Sequence, residues 1–575
     1  MKKTIIAVAT LAAASLAQAT DTTWTSQSWT PASTGQTSWE GSSADKLIFN
    51  GTSSSNKNGD EWTNAQLFIQ GTEGNSQKST ITGGTLEFIS QNPATNDANN
   101  APGVGYNAVV LGGNSSLTID VGTLLLGDSV IDQTDKKGGD RGIRLSGSNN
   151  TLTIYADRIV SYTGDEFIHV RQGNGSSVAN IGSADRRIGY FEAHTGWGKD
   201  DYGVALLQAN EGNKVFLYAD EAVLDGSTNS QGGVIGSGGW GEVHVDANKL
   251  TINGNICGSY GTMSNADKQL TLSVRAGTLD MTGDINVGNE AKGNSNFDRN
   301  TTVEIEADVL NLKGDIKVDN NKRTGSKAEG DNISAVNLTV NKTANIIGTI
   351  IASQTDGTST VTLGGAGDAT ASSGKYEVTG DGSSIVFKDS GSWVINEWKG
   401  TDGNLTASDS VKVDVNGAVQ TTSTTLNGTS TLTLNDGAKI SSKTLEGSGG
   451  TFLINTADEQ IINIGDYKNT DAQAVLSGSQ NDKYASADEA VKALEASVGS
   501  DTKLSLSAAE GAVADSWKVV DNGNGTTSLI TQANQKLEGY NTINSLAVFS
   551  WRHELNNLQK RMGELRDLNG NIGAW

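Results

Sequence analysis

A pattern of about thirty residues recurs eight times along the middle of this chain. Each copy is an alternation of apolar and polar residues, followed by a small residue, then Asp, Asn or Gly, then another apolar residue. Repeats of this length bury their apolar face only by stacking on neighbouring copies. The small position falls at Val121, Ala156, Ala184, Ala219, Ala247, Ala276, Ala307 and Lys342.

The strand-like segments are short and end at Gly or Asn-Gly turns, without helical patterns between them, which excludes doubly wound and barrel α/β folds. A propeller is the alternative, but its blades need more residues than this repeat provides. In a parallel β-helix, strands of successive coils pair about 4.8 Å apart and inward apolar residues form ladders. The sequence therefore predicts an all-β solenoid, with the parallel β-helix over residues 110–465 and an N-terminal β region or cap over residues 20–109.

The charge of the chain limits its partners. Asp and Glu number 65 against 42 Lys and Arg, which gives a formal net charge of −23. Nucleic acid and anionic membrane surfaces would repel such a chain, so we expect neither as a partner. The single cysteine, Cys257, excludes an intramolecular disulfide and is expected to be a buried apolar residue. No His and Cys residues have metal-ligand spacing, so we expect no metal and no other cofactor.

The first nineteen residues have the pattern of a secretory signal peptide. Lys2 and Lys3 form a basic start, residues 5–16 are an apolar core, and Ala17-Gln18-Ala19 is a small-x-small cleavage site. The apolar run is too short to span a membrane. We therefore expect export, first to the periplasm, with removal of residues 1–19.

The C-terminal region changes character in three steps. Residues 484–499 predict one short helix, and residues 517–530 predict a β-hairpin with an Asn-Gly-rich turn. Together they belong to a segment, 466–535, that follows the last coil. From residue 537 to 566 apolar residues recur every three or four positions, which predicts a helix over 536–570. It is too charged to contact lipid but could cross a membrane inside a polar channel.

The last residues of the chain, from Glu554 to Trp575, read ELNNLQKRMGELRDLNGNIGAW. This tail resembles the linker of classical autotransporters, the bacterial type V secretion proteins, and is most similar to the serine-protease autotransporter group. The pattern Glu-x-Asn-Asn-Leu-x-Lys-Arg-Met-Gly-Glu-Leu-Arg runs from Glu554 to Arg566, and residues 571–575 resemble the beginning of a barrel strand. The matching residues are Glu554, Asn556, Asn557, Leu558, Lys560, Arg561, Met562, Gly563, Glu564, Leu565 and Arg566.

This resemblance implies a fold and a function. The fold is a right-handed parallel β-helix passenger followed by a linker α-helix, with residues 466–535 as an autochaperone-like region that nucleates folding. The function is export through an outer-membrane β-barrel, helped by its assembly machinery, for surface display or release. An adhesin-like or structural passenger of this kind would contact a host surface protein or glycan. A secreted β-helix enzyme acting on polysaccharide and a degraded serine-protease passenger are the alternatives.

The resemblance also implies a self-cleavage site between Asn556 and Asn557. The side-chain amide of Asn556 would attack its own backbone carbonyl, form a succinimide and expel the amine of Asn557. Such a weak nucleophile needs desolvation and enforced geometry, which a barrel would supply. Apart from this step we expect no enzymatic activity, and we expect this chain without a barrel to stay uncut.

Several other motifs are interpreted as turns. Lys388-Asp389-Ser390-Gly391 is similar to a serine-protease nucleophile motif, but Lys replaces the first Gly and no histidine context supports a triad. Residues 236–241 match GxGxxG, but a strand follows where a nucleotide site needs a helix. Residues 364–368 fall short of a calcium-binding nonapeptide and do not repeat in tandem.

Two further groups have a functional alternative. Asp200, Asp201 and Glu242 are candidate paired acids for glycan cleavage, although exposed acids are expected on so acidic a chain. Four tryptophans near the mature N-terminus are expected to cap the open end of the solenoid. The alternative, a more specific functional hypothesis, is that they form a carbohydrate-binding surface. These are Trp24, Trp29, Trp39 and Trp62.

Overall fold

A computed structural model shows an all-β chain with one helix among the described residues. It divides into two compact units, Met1–Val386 and Phe387–Trp575. The structure describes residues 21–24, 37–49, 65–71, 73–89, 107–127, 141–163, 166–171, 176–195, 205–226, 233–236, 241–258, 269–288, 300–320, 333–355, 357–457, 460–477, 484, 487–499, 501–509, 516–521 and 527–532.

Between residues 65 and 354 short strands alternate with long strands, except that Val178–Ile181 and Ile188–Thr195 together replace one long strand. Twenty-five strands lie in the described residues up to residue 379. They are β1 Asp21–Trp24, β2 Thr37–Glu40, β3 Lys46–Phe49, β4 Ala65–Ile69, β5 Gln77–Phe88, β6 Asn107–Leu111, β7 Ser115–Leu126, β8 Arg141–Leu145, β9 Thr151–Thr163, β10 Ile168–Val170, β11 Val178–Ile181, β12 Ile188–Thr195, β13 Ala205–Ala209, β14 Lys214–Asp225, β15 Gly233–Gly236, β16 Glu242–Asn253, β17 Ile256–Gly258, β18 Gln269–Thr282, β19 Ile285–Gly288, β20 Asn300–Lys313, β21 Ile316–Asn320, β22 Ile333–Ile347, β23 Thr349–Gln354, β24 Thr358–Gly364 and β25 Lys375–Thr379.

The remaining elements are shorter strands, two long strands and the helix α1. They are β26 Ser383–Phe387, β27 Ser392–Ile395, β28 Glu397–Lys399, β29 Asn404–Ala407, β30 Lys412–Val415, β31 Ala418–Leu434, β32 Lys439–Ile454, β33 Ile462–Tyr467, β34 Gln473–Leu476, α1 Ala487–Val498, β35 Ser505–Ala508, β36 Ser516–Asp521 and β37 Thr527–Gln532.

From β4 to β23 each coil combines one short strand with one long strand, and in one coil β11 and β12 together replace the long strand. The long strands β14, β16, β18, β20 and β22 each pair in parallel with the long strand of the next coil. The short strands form a second parallel sheet that includes β13, β15, β17, β19, β21 and β23. Parallel pairing also joins β1 to β3 and β4 to β6, nearer the N-terminus. Since successive coils pair in parallel without an intervening helix, the predicted parallel β-helix is confirmed.

The core consists of inward ladders of aliphatic side chains. Along β16, Val243, Val245 and Ala247 are buried, and the inward set resumes at Leu250 and Ile252. Alternation puts successive side chains on opposite faces of a strand. The two consecutive exposed residues, Asn248 and Lys249, therefore mark a bend. Each buried Leu, Ile or Val contributes about 1.5–3 kcal/mol, so the ladder repeated through the coils provides most of the favourable burial free energy.

The bend repeats at equivalent positions, which we name the alanine corner: Ala219, Ala247, Ala276 and Ala307 in four successive long strands. Two of the predicted small positions are wrong. Ala184 lies in the turn between β11 and β12, and Ile188 takes its place opposite Ala219. Val340, not Lys342, pairs with Ala307, because a register shift follows and leaves three successive exposed residues in β22.

At the other end of the long strands, glycines stack from coil to coil in what we name the glycine corner: Gly254, Gly283, Gly314 and Gly348. A Cβ on Gly283 would lie 2.2 Å from the carbonyl oxygen of Gly254, and its φ is 140°. The residues that follow the glycines bond to the next coil. Asn255 accepts from the backbone N–H of Asp284 at 2.7 Å, and Asp284 accepts from that of Asp315 at 2.9 Å.

The second unit has parallel coils and a C-terminal cap-like segment. Strand β31 pairs with β32 in parallel, and β34 pairs with β35. The side chains of Asn396, Asn416, Asn435 and Asn455 form an amide ladder with N···O distances of 2.7, 2.6 and 2.5 Å. Amide side chains can donate and accept at once, so such a ladder continues from coil to coil.

The predicted short helix and hairpin are confirmed. Helix α1 buries Ala490, Leu494 and Val498 at a spacing of four residues, and Asp488 and Glu489 in its first turn complement the helix dipole. Strands β36 and β37 are antiparallel, with Ser516 opposite Gln532. The predicted linker helix over 536–570 lies outside the described residues. The nucleating role of 466–535 stays a prediction.

Candidate functional site on the outer face of the long sheet

The outward side chains of the long strands form two polar features, one between the alanine corner and the glycine corner and one along the alanine corner itself. Because the coils are in register, residues far apart in sequence form rows along the solenoid. The row Tyr162, His194 and Asp225 lies towards the glycine corner, and the row Asp246, Arg275 and Glu306 lies on the other side of the bend.

The first feature is a carboxylate–histidine cluster around Glu192. This carboxylate accepts from the His194 ring at 2.7 Å and from the hydroxyls of Tyr190 and Tyr162 at 2.9 and 3.3 Å. The other ring nitrogen of His194 lies 3.0 Å from Asp225. Tyr162 stacks on His194 with ring centroids 4.7 Å apart.

The pKa values in this cluster shift in opposite directions. The hydrogen bond to Asp225, reinforced by Glu192 against the effect of burial, raises the pKa of His194. Burial tends to raise the pKa of Glu192, but its hydrogen bonds from His194 and the two tyrosines outweigh this and hold it below its usual range. The cluster therefore favours a histidinium between two carboxylates, an arrangement that is internally satisfied.

The second feature is the corner groove, a depression of about 320 Å³ along the alanine corner. Arg187 forms one end: its guanidinium donates to the carbonyl oxygens of Ala219 and Asp246, each at 2.7 Å, and to the Asp246 carboxylate at 2.8 Å. Its lining also includes the alternating row Asp246, Arg275 and Glu306, three alanines of the alanine corner, and, just beyond the bend, Asn248, Gly277, Asp308 and Asn341. The inserted turn between β11 and β12 is what places Arg187 there.

The groove side chains differ in how firmly they are held. Arg187 is pinned by several bonds and is 20% exposed, whereas Arg275 is 65% exposed. The Arg275 guanidinium lies 3.7 Å from Glu306, beyond hydrogen-bonding distance. Arg275 and Glu306 can therefore bond to a ligand without first breaking a mutual hydrogen bond.

Among the residues that the structure describes, no group of three or more His, Cys, Asp or Glu side chains could hold a metal ion. In the same part of the chain, no helix is long and apolar enough to cross a membrane. Cys257 is buried, as predicted.

The structure describes only some of the candidate residues from the sequence. Asn556, Asn557 and the rest of the linker motif lie outside the described residues, as do Asp200 and Asp201. Glu242 lies 2.9 Å from Lys214 and 3.4 Å from His244. Burial acts to raise its pKa, but its hydrogen bonds with Lys214 and His244 hold it below the usual range. Glu242 is thus a poor general acid, because that role needs a protonated carboxyl group.

Of the other motifs, Ser390 and Asp368 lie in turns, and residues 237–240 of the GxGxxG motif lie outside the described residues. Asp389, next to Ser390, has φ 68°, and its backbone N–H donates to Asp409 at 3.2 Å. Strand β16 follows the GxGxxG motif, as predicted. Asp368 accepts from Thr370 within a turn after β24. The absence of hydrolytic activity from Ser390 stays a prediction.

Of the four N-terminal tryptophans, the structure describes the side chain of Trp39. Its ring lies against the backbone of Gly41 and Gly83, where an added Cβ would come within 2.6 and 2.5 Å of it. The capping role of the four tryptophans stays a prediction.

Sequence reasoning missed both outward features. Glu192 and His194 are two residues apart, so they share a face of β12, and this spacing is visible in the sequence. Asp225 lies 31 residues after His194, about one repeat later. The groove had no comparable signal, because it depends on the bend and on the inserted turn.

Comparison with known proteins gives a short match. Serine protease EspP of Escherichia coli is 49% identical to this chain over 51 residues, which are 7% of this chain and 4% of that protein. The protein of the same name from Escherichia coli O157:H7 matches with the same identity, length and coverage. No family model matches the chain. No solved structure matches it. The similarity therefore spans a small fraction of the length of these curated relatives.

Proposed function

We propose that this chain is an autotransporter passenger, exported by way of the signal peptide 1–19 and displayed on, or released from, the cell surface. The observation that carries the proposal is the in-register stacking of β14, β16, β18, β20 and β22. A solenoid of this kind offers an extended outer surface for contacts with a partner. The match to EspP and the tail motif from Glu554 to Arg566 support the proposal.

The proposed role at the surface is adhesin-like or structural. Display needs an outer-membrane β-barrel and its assembly machinery as partners, and adhesion needs a host surface protein or glycan. In the described residues the carboxylate–histidine cluster is satisfied internally, and Glu242 is held in ion pairs, which favours contact over catalysis.

Export is tested by fusing the chain to an outer-membrane barrel and labelling intact cells with an antibody against the β-helix. We expect labelling of intact cells, sensitivity to added protease, and a mature N-terminus at Thr20. A variant lacking residues 1–19 is the control and should stay inside the cell. An epitope that becomes accessible only after the outer membrane is permeabilised would refute surface display.

Release is tested with the same fusion. We expect a released product ending at Asn556, no release from Asn556→Ala, and normal release from the control Asn544→Ala. In this step the side-chain nitrogen of Asn556 bonds to its own carbonyl carbon, the peptide bond to Asn557 breaks, and Asn557 leaves as an amine that takes up a proton. An intact linkage, or release from Asn556→Ala, would refute the cleavage hypothesis while leaving display untouched.

A further inference from the structure

The corner groove has a composition that differs from that of the chain as a whole. Two arginines, Arg187 and Arg275, face three carboxylates, Asp246, Glu306 and Asp308, so the groove is nearly neutral on a chain of net charge −23. Long-range repulsion by the rest of the surface disfavours polyanions, while the arginines oppose a polycation inside the groove. These charges favour an uncharged ligand.

The groove crosses the strands instead of following them. The backbone groups of β16, β18 and β20 are already paired with neighbouring coils, for example Asp246 with Arg275 and Arg275 with Glu306. An extended peptide binds well by adding to an open sheet edge, which this surface does not offer. A ligand in the groove is therefore recognised through side chains.

The side chains repeat along the groove at the coil spacing. Asp246, Arg275 and Glu306 stand on successive strands, which lie about 4.8 Å apart. This distance is comparable with the length of one pyranose unit in a linear chain. Alternating carboxylates and guanidinium groups provide acceptors and fixed donor pairs, which suit neighbouring hydroxyl groups.

We infer that the corner groove binds a neutral oligosaccharide lying along the solenoid axis. Arg275 and Glu306 bond its hydroxyl groups, and Arg187 closes one end. This inference deepens the proposed function, since it names the ligand class of an adhesin-like passenger, and it rests on that function only for the biological setting.

The test uses the full chain on a printed array of neutral oligosaccharides, with heparin and a polybasic peptide as comparators. We expect binding to neutral glycans that becomes at least tenfold weaker in the double variant Arg275→Ala/Glu306→Ala. This variant keeps the net charge unchanged. Its matched control is Lys249→Ala/Glu221→Ala, which removes an exposed ion pair of 2.7 Å outside the groove and should bind as the wild type does.

The four altered side chains are between 42% and 65% exposed, so both double variants should unfold close to the wild-type temperature. Absence of glycan binding, binding that survives Arg275→Ala/Glu306→Ala, or preference for heparin or the peptide would overturn the inference. A chain that binds glycans but is not exported would contradict the passenger proposal and leave this one standing. An exported chain that binds no glycan would contradict this inference and leave the passenger proposal standing.

Discussion

The glycine corner and the alanine corner terminate and bend the same strands, yet they use space in opposite ways. At the glycine corner the backbones of successive coils touch, and Asn255 and Asp284 satisfy the next backbone N–H. At the alanine corner the equivalent outward positions hold side chains as large as Asp and Asn, and a groove remains. The close backbone contacts at the glycine corner fix the stacking, whereas the outward residues of the alanine corner can vary without disturbing it. Ligand binding is therefore expected at the alanine corner.

The largest difference between the corners should come from adding a methyl group. Gly283→Ala places a Cβ 2.2 Å from the Gly254 carbonyl oxygen at a φ of 140°, so we expect a loss of about 3 kcal/mol or more in the free energy of unfolding. The measurement is urea unfolding.

The control separates steric overlap from backbone strain. Gly74 has φ 81° but open space around its Cβ position, so Gly74→Ala should cost only about 1–2 kcal/mol. Equal losses in the two variants would mean that the glycine corner is not closely stacked.

The next effect compares two asparagines. Asn255→Ala removes the acceptor of the Asp284 N–H at a buried position, so we expect a loss of about 1–3 kcal/mol. Asn248→Ala at the alanine corner removes an exposed bond of 3.0 Å to Asp220 and should change stability by about 0.5 kcal/mol or less. Thermal unfolding of both variants checks this. A larger loss of stability in Asn248→Ala than in Asn255→Ala would mean that the alanine corner, not the glycine corner, holds the coils together.

Two lysines sharpen the comparison further. Lys317 lies 2.8 Å from Asp284 and 3.3 Å from Asp315 at the glycine corner and is 28% exposed, whereas Lys342 pairs with Asp308 at 2.9 Å and is 68% exposed. Lys317→Ala leaves two carboxylates without their shared cation, so we expect a loss of about 1 kcal/mol, against about 0.3 kcal/mol for Lys342→Ala. Urea unfolding at low and high salt checks this, since salt should reduce the smaller effect first.

The smallest effect is a dependence on pH at His194, in the row beside the glycine corner. Its pKa is raised in the folded state, so its stabilisation is complete below the unfolded value of about 6.5 and is lost as the pH rises through the folded pKa. The pKa of Glu192 is lowered, so its contribution is present above about 4.3 and is lost as the pH falls through its folded pKa.

The free energy of unfolding of the wild type should therefore exceed that of His194→Gln most clearly between about pH 4.3 and about pH 6.5, the two unfolded-state pKa values. The difference should be about 1 kcal/mol or less and should shrink towards pH 9. Urea unfolding across this pH range measures it. His244→Gln is the control, since its ring lies 3.4 Å from a carboxylate that already pairs with Lys214. A difference that grows with pH would contradict the proposed histidinium.

The sequence predicted the stacking because stacking depends on a one-dimensional period, and six of the eight small positions mark the bend. The predictions for Ala184 and Lys342 were wrong. An inserted turn moves Ala184 out of the row of small residues, and a register shift moves Lys342 out of it, although the repeat length in the sequence stays nearly the same. The corner groove could not be predicted, since its concavity depends on the bend angle and on where the inserted turn places Arg187. The linker motif was predicted by resemblance and lies outside the described residues.

The in-register stacking of the coils is the central claim, and thiol cross-linking tests it most directly. Thr251 pairs with Asp280, and Asp280 pairs with Asn311 on the next strand. In a Cys257→Ala background, the pair Thr251→Cys and Asp280→Cys should be bridged by dibromobimane, because parallel neighbours lie about 4.8 Å apart. The pair Thr251→Cys and Asn311→Cys, two strands apart, should not be bridged. Bridging of the second pair, or failure of the first in a folded protein, would contradict the parallel register on which both corners depend.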